Sequence, residues 1–196
     1  MTRDGDAAPI LLIMGVSGGG KTTIGALLAG RLQWPYAEAD DFHPPANLRK
    51  MRAGQPLTDA DRLPWLQAIG AWIDEQIAAG QPAVVSCSAL KRSYRDVLRG
   101  SGSGRDSARL KLIYLEGDRD LIARRMAARH GHFFPASLLD SQFRDLEPPE
   151  PGEHAIVVPA SGTPEEITGE ILSKLGPANR SLGLGDGGGA VARGKG

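Results

Sequence analysis

The sequence predicts a single α/β domain built on a parallel β-sheet, and three observations carry this prediction. Short apolar runs alternate with longer amphipathic segments, which is typical of βαβ units. The apolar runs are continuous rather than alternating, as strands buried on both faces of a parallel sheet should be. The chain has 196 residues, which is enough for one full hydrophobic core.

Five segments have the length and composition of buried strands. They are bounded by turn residues and are separated by stretches long enough to hold a crossover helix. The second of them is short and only weakly marked by its sequence. The predicted strands are Ile10–Met14, Tyr36–Glu38, Ala83–Cys87, Leu110–Leu115 and Ala155–Val158.

Between the strands, apolar residues recur at helical spacing. The longest predicted helix is Asp61–Ala79, where Thr58 or Asp59 can cap the start and Gly80 lies just past the end. The first helix is predicted over Ile24–Leu32, directly after a glycine-rich segment. The other predicted helices are Ser93–Arg99, Leu121–Ala128, Ala136–Leu146 and Glu165–Leu175.

Charge and composition argue against a nucleic-acid-binding or membrane protein. Acidic and basic side chains number 23 each, so no net charge attracts a polyanion. No apolar run approaches the ~20 residues of a membrane span, and the acidic N-terminus lacks a signal-peptide core. Cys87 is the only cysteine and lies in an apolar run, where a buried, unreactive thiol is expected. We therefore expect a cytoplasmic protein without nucleic-acid or membrane partners.

One domain is expected over residues 1–175, with two segments that follow the carboxyl ends of strands. Residues 41–61 are interrupted by prolines and form a predicted substrate-binding insertion, and the arginine-rich residues 119–149 form a predicted lid. Ligands of open α/β sheets bind at these strand ends, and phosphoryl transfer requires that water be excluded. Residues 176–196 contain eight glycines and are predicted to be a disordered tail.

The most informative segment is the glycine-rich loop after the first strand. It matches the pattern G-x-x-x-x-G-K-[ST], whose glycines let backbone N–H groups turn inward around phosphates. Lys21 can reach the β- and γ-phosphates, and the Thr22 hydroxyl can ligate Mg²⁺. The loop therefore predicts binding of a nucleoside triphosphate, which we expect to be ATP with Mg²⁺. The predicted binding residues are Gly15, Val16, Ser17, Gly18, Gly19, Gly20, Lys21 and Thr22.

An acidic segment follows the second predicted strand and faces the loop across the sheet. Asp40 could accept a proton from a substrate hydroxyl, hold Mg²⁺ through water or bind substrate hydroxyls. An ordinary turn acid before a proline-rich loop is the alternative. His43 fits a substrate contact and a structural turn residue equally well.

Basic residues follow the third and fourth predicted strands. Lys91 and Arg95 are four residues apart and could clamp an anionic substrate, although such a pair also fits a solvated helix face. Arg124, Arg125 and Arg129 form a cluster that repels itself until an anion arrives. We expect it to close over ATP and to stabilise the transferring phosphoryl group, with a plain exposed helix as the alternative.

Several other kinds of site are not indicated. His130 and His132 lack partners at zinc-ligand spacing, so no metal site is predicted there. The chain has no Asp-x-x-Gly after the third strand and no Asn-Lys-x-Asp, which weighs against a GTPase switch. The motif set of protein kinases is also missing.

Five segments occur in one order between about Ile10 and Leu175: Gly15–Thr22, Asp40 with His43-Pro44, Leu57–Leu66, Cys87–Asp96 and Gly131–Phe134. Together they resemble the bacterial gluconate kinases of the P-loop, shikimate-kinase-like type. Many kinases share the glycine-rich loop. The Cys-Ser-Ala-Leu-Lys, Asp-Arg-x-Pro-Trp-Leu and Gly-His-Phe-Phe runs are far more particular.

The resemblance implies a P-loop kinase fold, with a five-stranded parallel sheet flanked by helices and a mobile lid, often in a homodimer. It implies ATP-dependent phosphorylation of D-gluconate at its terminal hydroxyl, giving 6-phosphogluconate. The implied catalytic residues are Lys21, Asp40 and Arg125, with Arg124 and Arg129 also closing on ATP. The implied substrate-binding residues are Asp40, His43, Arg62, Lys91, Arg95 and His132.

Two alternatives stay open at this point. One is a related kinase that acts on shikimate or a nucleoside monophosphate, and the other is a non-catalytic ATP-binding module. The chain also departs from the family at Ala39, where glycine usually precedes the acid. Because alanine disfavours a positive φ, this change predicts a slightly rearranged end of the second strand.

Overall fold

The computed structural model describes residues 8–100, 109–128 and 136–176, without the side chains of residues 136–138. Its central element is a five-stranded sheet with the strand order β2-β3-β1-β4-β5. Every neighbouring pair is parallel, so the carboxyl ends of all five strands lie along one edge. The strands are β1 (Ile10–Met14), β2 (Tyr36–Glu38), β3 (Ala83–Ser86), β4 (Leu110–Glu116) and β5 (Ile156–Pro159). The predicted α/β class and parallel sheet are confirmed.

Helices cover both faces of this sheet. The described segments contain α1 (Lys21–Leu32), α2 (Pro45–Arg52), α3 (Asp59–Ala78), α4 (Arg92–Arg99), α5 (Arg119–Ala127), α6 (Ala136–Asp145) and α7 (Pro164–Leu175). Helix α2 was not predicted, because its prolines indicated a broken segment. Pro45 is the first residue of this helix, where a missing N–H breaks no helical hydrogen bond.

The start of α3 is fixed by a reciprocal cap. The Thr58 hydroxyl accepts from the Asp61 N–H at 3.2 Å, and the Asp61 carboxylate accepts from the Thr58 N–H at 3.0 Å. This capping box starts the helix two residues before the predicted position. Gly80 follows the helix with φ 65°, as its predicted place past the end requires.

Two hydrophobic clusters hold the helices on the sheet. One lies between the sheet and α3 and α4, and it includes Leu12, Val85, Trp65, Ile69 and Leu98. The other lies on the opposite face against α1 and α7, and it includes Leu11, Ile113, Leu28, Ile167 and Ile171. Cys87 belongs to the first cluster, where burial raises the pKa of its thiol to about 12. This agrees with the expected unreactive thiol.

A third, smaller cluster lies at the carboxyl edge of the sheet. Val16 of the glycine-rich loop and Leu90 after β3 pack there with Ile122 of α5 and Leu139 of α6. The predicted lid segment therefore rests on the glycine-rich loop through α5 and α6. In the parts of the chain that the structure describes, no helix has the length and apolar character to cross a membrane. Residues 177–196, which hold nearly all of the predicted tail, lie outside the described residues.

Candidate active site

The glycine-rich loop joins β1 to α1 in a conformation that requires glycine. Gly15 and Gly18 have φ values of 142° and 82°, and a Cβ on Gly15 would lie 2.9 Å from the Leu115 carbonyl oxygen. A Cβ on Gly18 would lie 2.8 Å from Met126 Cγ of α5. These two positions therefore combine a left-handed backbone with close packing, which only glycine accommodates.

The basic and hydroxyl groups of the loop lie at the N-terminus of α1. Lys21 and Thr22 are the first two residues of that helix, where backbone N–H groups and the helix dipole favour an anion. Lys21 Nζ donates to the Val16 carbonyl oxygen at 3.0 Å, which holds the ammonium against the loop. The Gly15 N–H donates to the Ser88 carbonyl oxygen at 3.3 Å and joins the loop to the end of β3.

A buried network at the ends of β2 and β3 brings one further carboxylate to this helix. The Tyr36 hydroxyl donates to Glu38 Oε2 at 2.8 Å and lies 2.7 Å from Ser86 Oγ, whose hydroxyl can donate to it. The same Tyr36 oxygen is 3.5 Å from the Thr22 carbonyl oxygen. Burial raises the pKa of Tyr36, so it remains a neutral donor.

Gly25 of α1 explains why Tyr36 fits at that place. A Cβ on Gly25 would lie 2.7 Å from the Tyr36 ring, so the absence of a side chain lets the ring lie against the helix. Sequence analysis did not select Glu38. Its place at the carboxyl end of a strand, two residues before Asp40, was the available signal.

The oxygen donors near the loop suit Mg²⁺. Thr22 supplies a hydroxyl at the start of α1, and Glu38 and Asp40 supply carboxylates at the end of β2. Mg²⁺ in kinases keeps several waters and uses one or two carboxylates together with substrate phosphates. Among the described residues there is no cluster of three or more His, Cys, Asp and Glu side chains that could hold a metal. A Mg²⁺ site that uses one or two of these protein oxygens and is completed by nucleotide phosphates agrees with both observations.

Asp40 lies in a 3₁₀ turn, Ala39–Phe42, with its side chain 78% exposed. The buried Trp65 indole donates to the Ala39 carbonyl oxygen at 2.7 Å and fixes this turn to α3. His43 stacks on Trp65 with ring centroids 4.5 Å apart, and its Nε2 is 3.9 Å from Asp40 Oδ1. Burial lowers the pKa of His43 although Asp40 opposes this, so the ring is neutral near pH 7.

Ala39 itself does not disturb this arrangement. It lies inside the 3₁₀ turn and is not among the residues with positive φ, and its methyl group is buried in the core. An alanine is therefore compatible with the backbone at this position, which does not use a positive φ.

A second group of charged side chains lies at the starts of α3 and α4, near His43, and we refer to these residues together with Asp40 and His43 as the acceptor pocket. Lys91 Nζ donates to both carboxylate oxygens of Asp59 at 3.0 Å, and the Tyr94 hydroxyl also donates to Asp59. The Arg62 guanidinium carbon lies 5.8 Å from the centroid of the Tyr94 ring. Arg62 and His43 are close enough that the positive charge of Arg62 lowers the pKa of His43. Among the described residues, the buried Arg62 Nε has no hydrogen-bond partner.

Arg95 does not belong to this pocket, and its predicted contact with substrate is wrong on this geometry. Its side chain is 1% exposed and pairs with Glu153, with Nε and one terminal nitrogen each 2.7 Å from a carboxylate oxygen. The other terminal nitrogen donates to three carbonyl oxygens, those of Ala89, Leu90 and Glu147. The buried guanidinium therefore fixes the backbone after β3, including Ala89 at φ 44°.

The arginines of the predicted lid differ in their surroundings. Arg124 is exposed on α5, whereas Arg125 donates to the Gly162 carbonyl oxygen at 3.2 Å, in the loop after β5. Their contacts with ATP stay predictions, and for Arg125 such a contact requires release of the Gly162 bond. Arg129 and His132 lie outside the described residues.

One contact between the lid segment and the glycine-rich loop was not predicted. The Ser17 N–H donates to Gln142 Oε1 at 2.6 Å, and Gln142 Nε2 donates to Ser17 Oγ at 2.8 Å. Gln142 lies on α6, 125 residues from Ser17 in sequence. No local pattern in the sequence could have indicated this pair.

The phosphate-binding loop, the exposed carboxylate beside it and the basic pocket define a P-loop phosphotransferase. Comparison with known proteins agrees, since residues 10–149 match the family model described as an AAA domain. The gluconokinase of Gluconobacter oxydans is 46% identical, over 87% of this chain and 93% of that protein.

Two solved structures are also similar. A sugar kinase from Janibacter sp. HTCC2649 has a TM-score of 0.80 and 42% identity, with 91% of this chain and 99% of that chain covered. A gluconokinase from Sinorhizobium meliloti 1021 has a TM-score of 0.75 and 45% identity, covering 86% of this chain and 92% of that one. The chain belongs to the gluconokinase family, and the predicted family and kinase class are confirmed.

Proposed function

We propose that this protein transfers the γ-phosphoryl group of ATP to the terminal hydroxyl of D-gluconate, giving 6-phospho-D-gluconate and ADP. One observation carries the assignment of residues. Beside the phosphate-binding loop, an exposed carboxylate, Asp40, and a half-buried cation, Arg62, both lie close to His43, and among the described residues the Arg62 Nε has no hydrogen-bond partner. A sugar acid has the complementary groups, a hydroxyl at one end and a carboxylate at the other.

The donor nucleotide binds at the N-terminus of α1. The backbone N–H groups of Gly15–Thr22 bind the phosphates, and Lys21 neutralises the charge that develops between the β- and γ-phosphates. Thr22 would hold Mg²⁺, with Glu38 and Asp40 reaching it through water. When bound, the metal supplies charge neutralisation at the phosphate oxygens.

Asp40 orients the acceptor and receives its proton. The gluconate hydroxyl oxygen forms a bond to the γ-phosphorus while the bond from that phosphorus to the bridging oxygen of ADP breaks. The hydroxyl proton passes to the Asp40 carboxylate, which is exposed and so available to a ligand. Neutral His43, held against Trp65, adds a hydrogen-bonding group for a neighbouring substrate hydroxyl.

The substrate carboxylate binds at the opposite side of the pocket. Arg62 can offer its unpaired Nε together with a terminal nitrogen, which matches the two oxygens of a carboxylate. Lys91 lies beside it on the Tyr94 ring, 5.5 Å from the centroid. His132 stays a further predicted contact.

Closure over the site is the proposed role of residues 119–149, with Arg124, Arg125 and Arg129 directed at ATP. The packing of α5 and α6 on Val16 and Leu90 supports this, because the segment already rests on the loop that holds the phosphates. A homodimer and a cytoplasmic location are further proposals, for which the family resemblance is the support.

The test is ADP release from Mg²⁺·ATP with D-gluconate, shikimate and a nucleoside monophosphate offered separately. Lys21→Ala serves as the blank, because it removes the ammonium group that acts on the phosphates. Release with gluconate alone is the expected result. ADP release driven by another acceptor would reject gluconate as the substrate. ATP binding without ADP release on any of the three acceptors would reject catalysis and favour a module that only binds the nucleotide.

A further inference from the structure

Asp59 is an acidic residue at the edge of the acceptor pocket that the proposed mechanism does not use. It is the first residue of α3, and its side chain is 65% exposed. Its carboxylate accepts two bonds from Lys91 and one from Tyr94, so it joins α3 to the start of α4. These partners lower the pKa of Asp59, with the Tyr94 hydrogen bond as the largest cause, and keep it ionised.

The start of α3 does not need Asp59 as a cap. Thr58 and Asp61 form the complete capping box, and Asp61 is also the partner of Lys50 at 2.6 Å. Among the described residues, the Asp59 carboxylate forms its side-chain hydrogen bonds with Lys91 and Tyr94 instead. Asp59 therefore acts on the charged groups of the acceptor pocket and is not needed to begin the helix.

Asp59 changes the charge that an acceptor meets in the pocket. The charged side chains grouped there are Asp40, Asp59, Arg62 and Lys91, and the charge of Asp145 at the end of α6 also acts on Lys91. Burial lowers the pKa of His43 and raises that of Tyr94, so both are neutral near pH 7. Lys91 is matched by Asp59 at hydrogen-bond distance, whereas Arg62 forms no ion pair with another described residue. Arg62 is thus the cation of this group that has no matched carboxylate and is left for the ligand.

We propose that Asp59 sets the charge selectivity of the acceptor pocket, so that it takes a polyhydroxy acid with a single negative charge and disfavours a dianionic group at that position. The inference rests on the proposed function and specifies its substrate class. Asp59 pairs with Lys91 and so leaves Arg62 as the one cation for the carboxylate. A doubly charged headgroup finds no second unmatched cation there, because Asp59 already neutralises Lys91, and its additional charge is repelled by the Asp59 carboxylate.

The test compares two ligands that share a terminal hydroxymethyl group, D-gluconate and D-glucitol 6-phosphate, by calorimetric Kd and by kcat/KM. The wild-type protein is expected to prefer gluconate. Asp59→Asn keeps the shape and a hydrogen bond to Tyr94, and it should shift the ratio of the two Kd values toward the dianion by about tenfold. Lys91→Gln leaves Asp59 unmatched and should shift the same ratio in the opposite direction.

The matched control is Glu165→Gln, which removes one negative charge from the first turn of α7, on the other side of the sheet. It should leave the ratio unchanged. The Asp59→Asn shift should also shrink with added salt, because Asp59 is exposed. A ratio that stays constant in Asp59→Asn while both affinities fall together would overturn the proposal and make Asp59 a purely structural clamp.

Binding and turnover separate this inference from the proposed function. Gluconate binding with the expected charge preference but without ADP release would leave the role of Asp59 intact and reject the phosphorylation of gluconate. Turnover on gluconate with an unchanged ratio of Kd values in both variants would leave the phosphorylation of gluconate intact and reject the role of Asp59. Failure of gluconate to bind the wild-type protein would overturn both.

Discussion

Replacing Arg95 by methionine should destabilise the protein severely without a specific effect on gluconate binding. The guanidinium makes two 2.7 Å bonds to Glu153 and three to carbonyl oxygens, and both side chains of the pair are at most 1% exposed. Methionine leaves the buried Glu153 carboxylate without its closest ionic partner, with only Arg99 at 3.8 Å and the Glu150 N–H at 3.1 Å remaining among the described residues. Removal of one member of a buried ion pair costs about 3–5 kcal/mol.

The measurement is urea unfolding followed by circular dichroism, with Arg92→Met as the matched control. Arg92 lies on the same helix and pairs with Glu150, but its side chain is 45% exposed and that of Glu150 is 70% exposed. An exposed pair of this kind contributes at most about 1 kcal/mol. Arg95→Met should therefore lose several times more free energy of unfolding than Arg92→Met.

The same pair predicts a pH dependence. Burial is the largest single influence on the pKa of Glu153 and would raise it, but the hydrogen bond and charge of Arg95, together with the Glu150 N–H and the charge of Arg99, lower the pKa overall. A carboxyl whose pKa is depressed in the folded state contributes stability above its unfolded pKa, about 4.3, and loses it as the pH falls through the folded value. The difference between wild type and Arg95→Met should thus shrink below about pH 4. A loss under 1 kcal/mol at pH 7, or a raised gluconate KM at unchanged stability, would refute this account of Arg95.

Three further variants test the active site. Lys21→Ala should lower kcat by at least about two orders of magnitude, or ~3 kcal/mol, and turnover near the wild-type value would remove Lys21 from the mechanism. Arg62→Gln should raise the gluconate KM about 10- to 100-fold with a smaller change in kcat, since a bond to a charged group is lost; an unchanged KM would place the carboxylate elsewhere. Gly18→Ala should reduce ATP affinity and stability more than Gly54→Ala. Both glycines have a positive φ, but only a Cβ at Gly18 would collide with Met126. Equal effects of the two substitutions would contradict the packing of α5 on the loop.

The sequence predicted those parts of the molecule that depend on local pattern. The strands of the sheet, the glycine-rich loop and most helices were placed within about three residues, because periodicity and capping are local signals. The structure also brings Asp40 and Arg62 close to His43, and the contacts of all three with substrate stay predictions. The carboxyl ends of parallel strands share one edge, so residues after different strands were expected to converge.

What the sequence could not provide depends on partners distant in the chain. Lys91 and Arg95 are four residues apart and look equivalent in the sequence. Arg95, however, forms a buried ion pair with Glu153, whereas Lys91 pairs with Asp59 at the acceptor pocket. The Gln142 contact with the loop likewise spans 125 residues. Helix α2 was missed for a different reason, because its first proline was taken as a helix breaker although it occupies a position that favours proline.

The central claim is transfer of a phosphoryl group to the terminal hydroxyl of gluconate in a pocket organised by Asp40. The most direct measurement is the phosphorus–proton correlation NMR spectrum of the product formed from Mg²⁺·ATP and D-gluconate, with Asp40→Asn as the comparison. The account predicts a phosphate ester that correlates with the two C6 methylene protons, formed by the wild-type protein and only very slowly by the variant. An ester at another carbon, or equal rates for the two proteins, would contradict it.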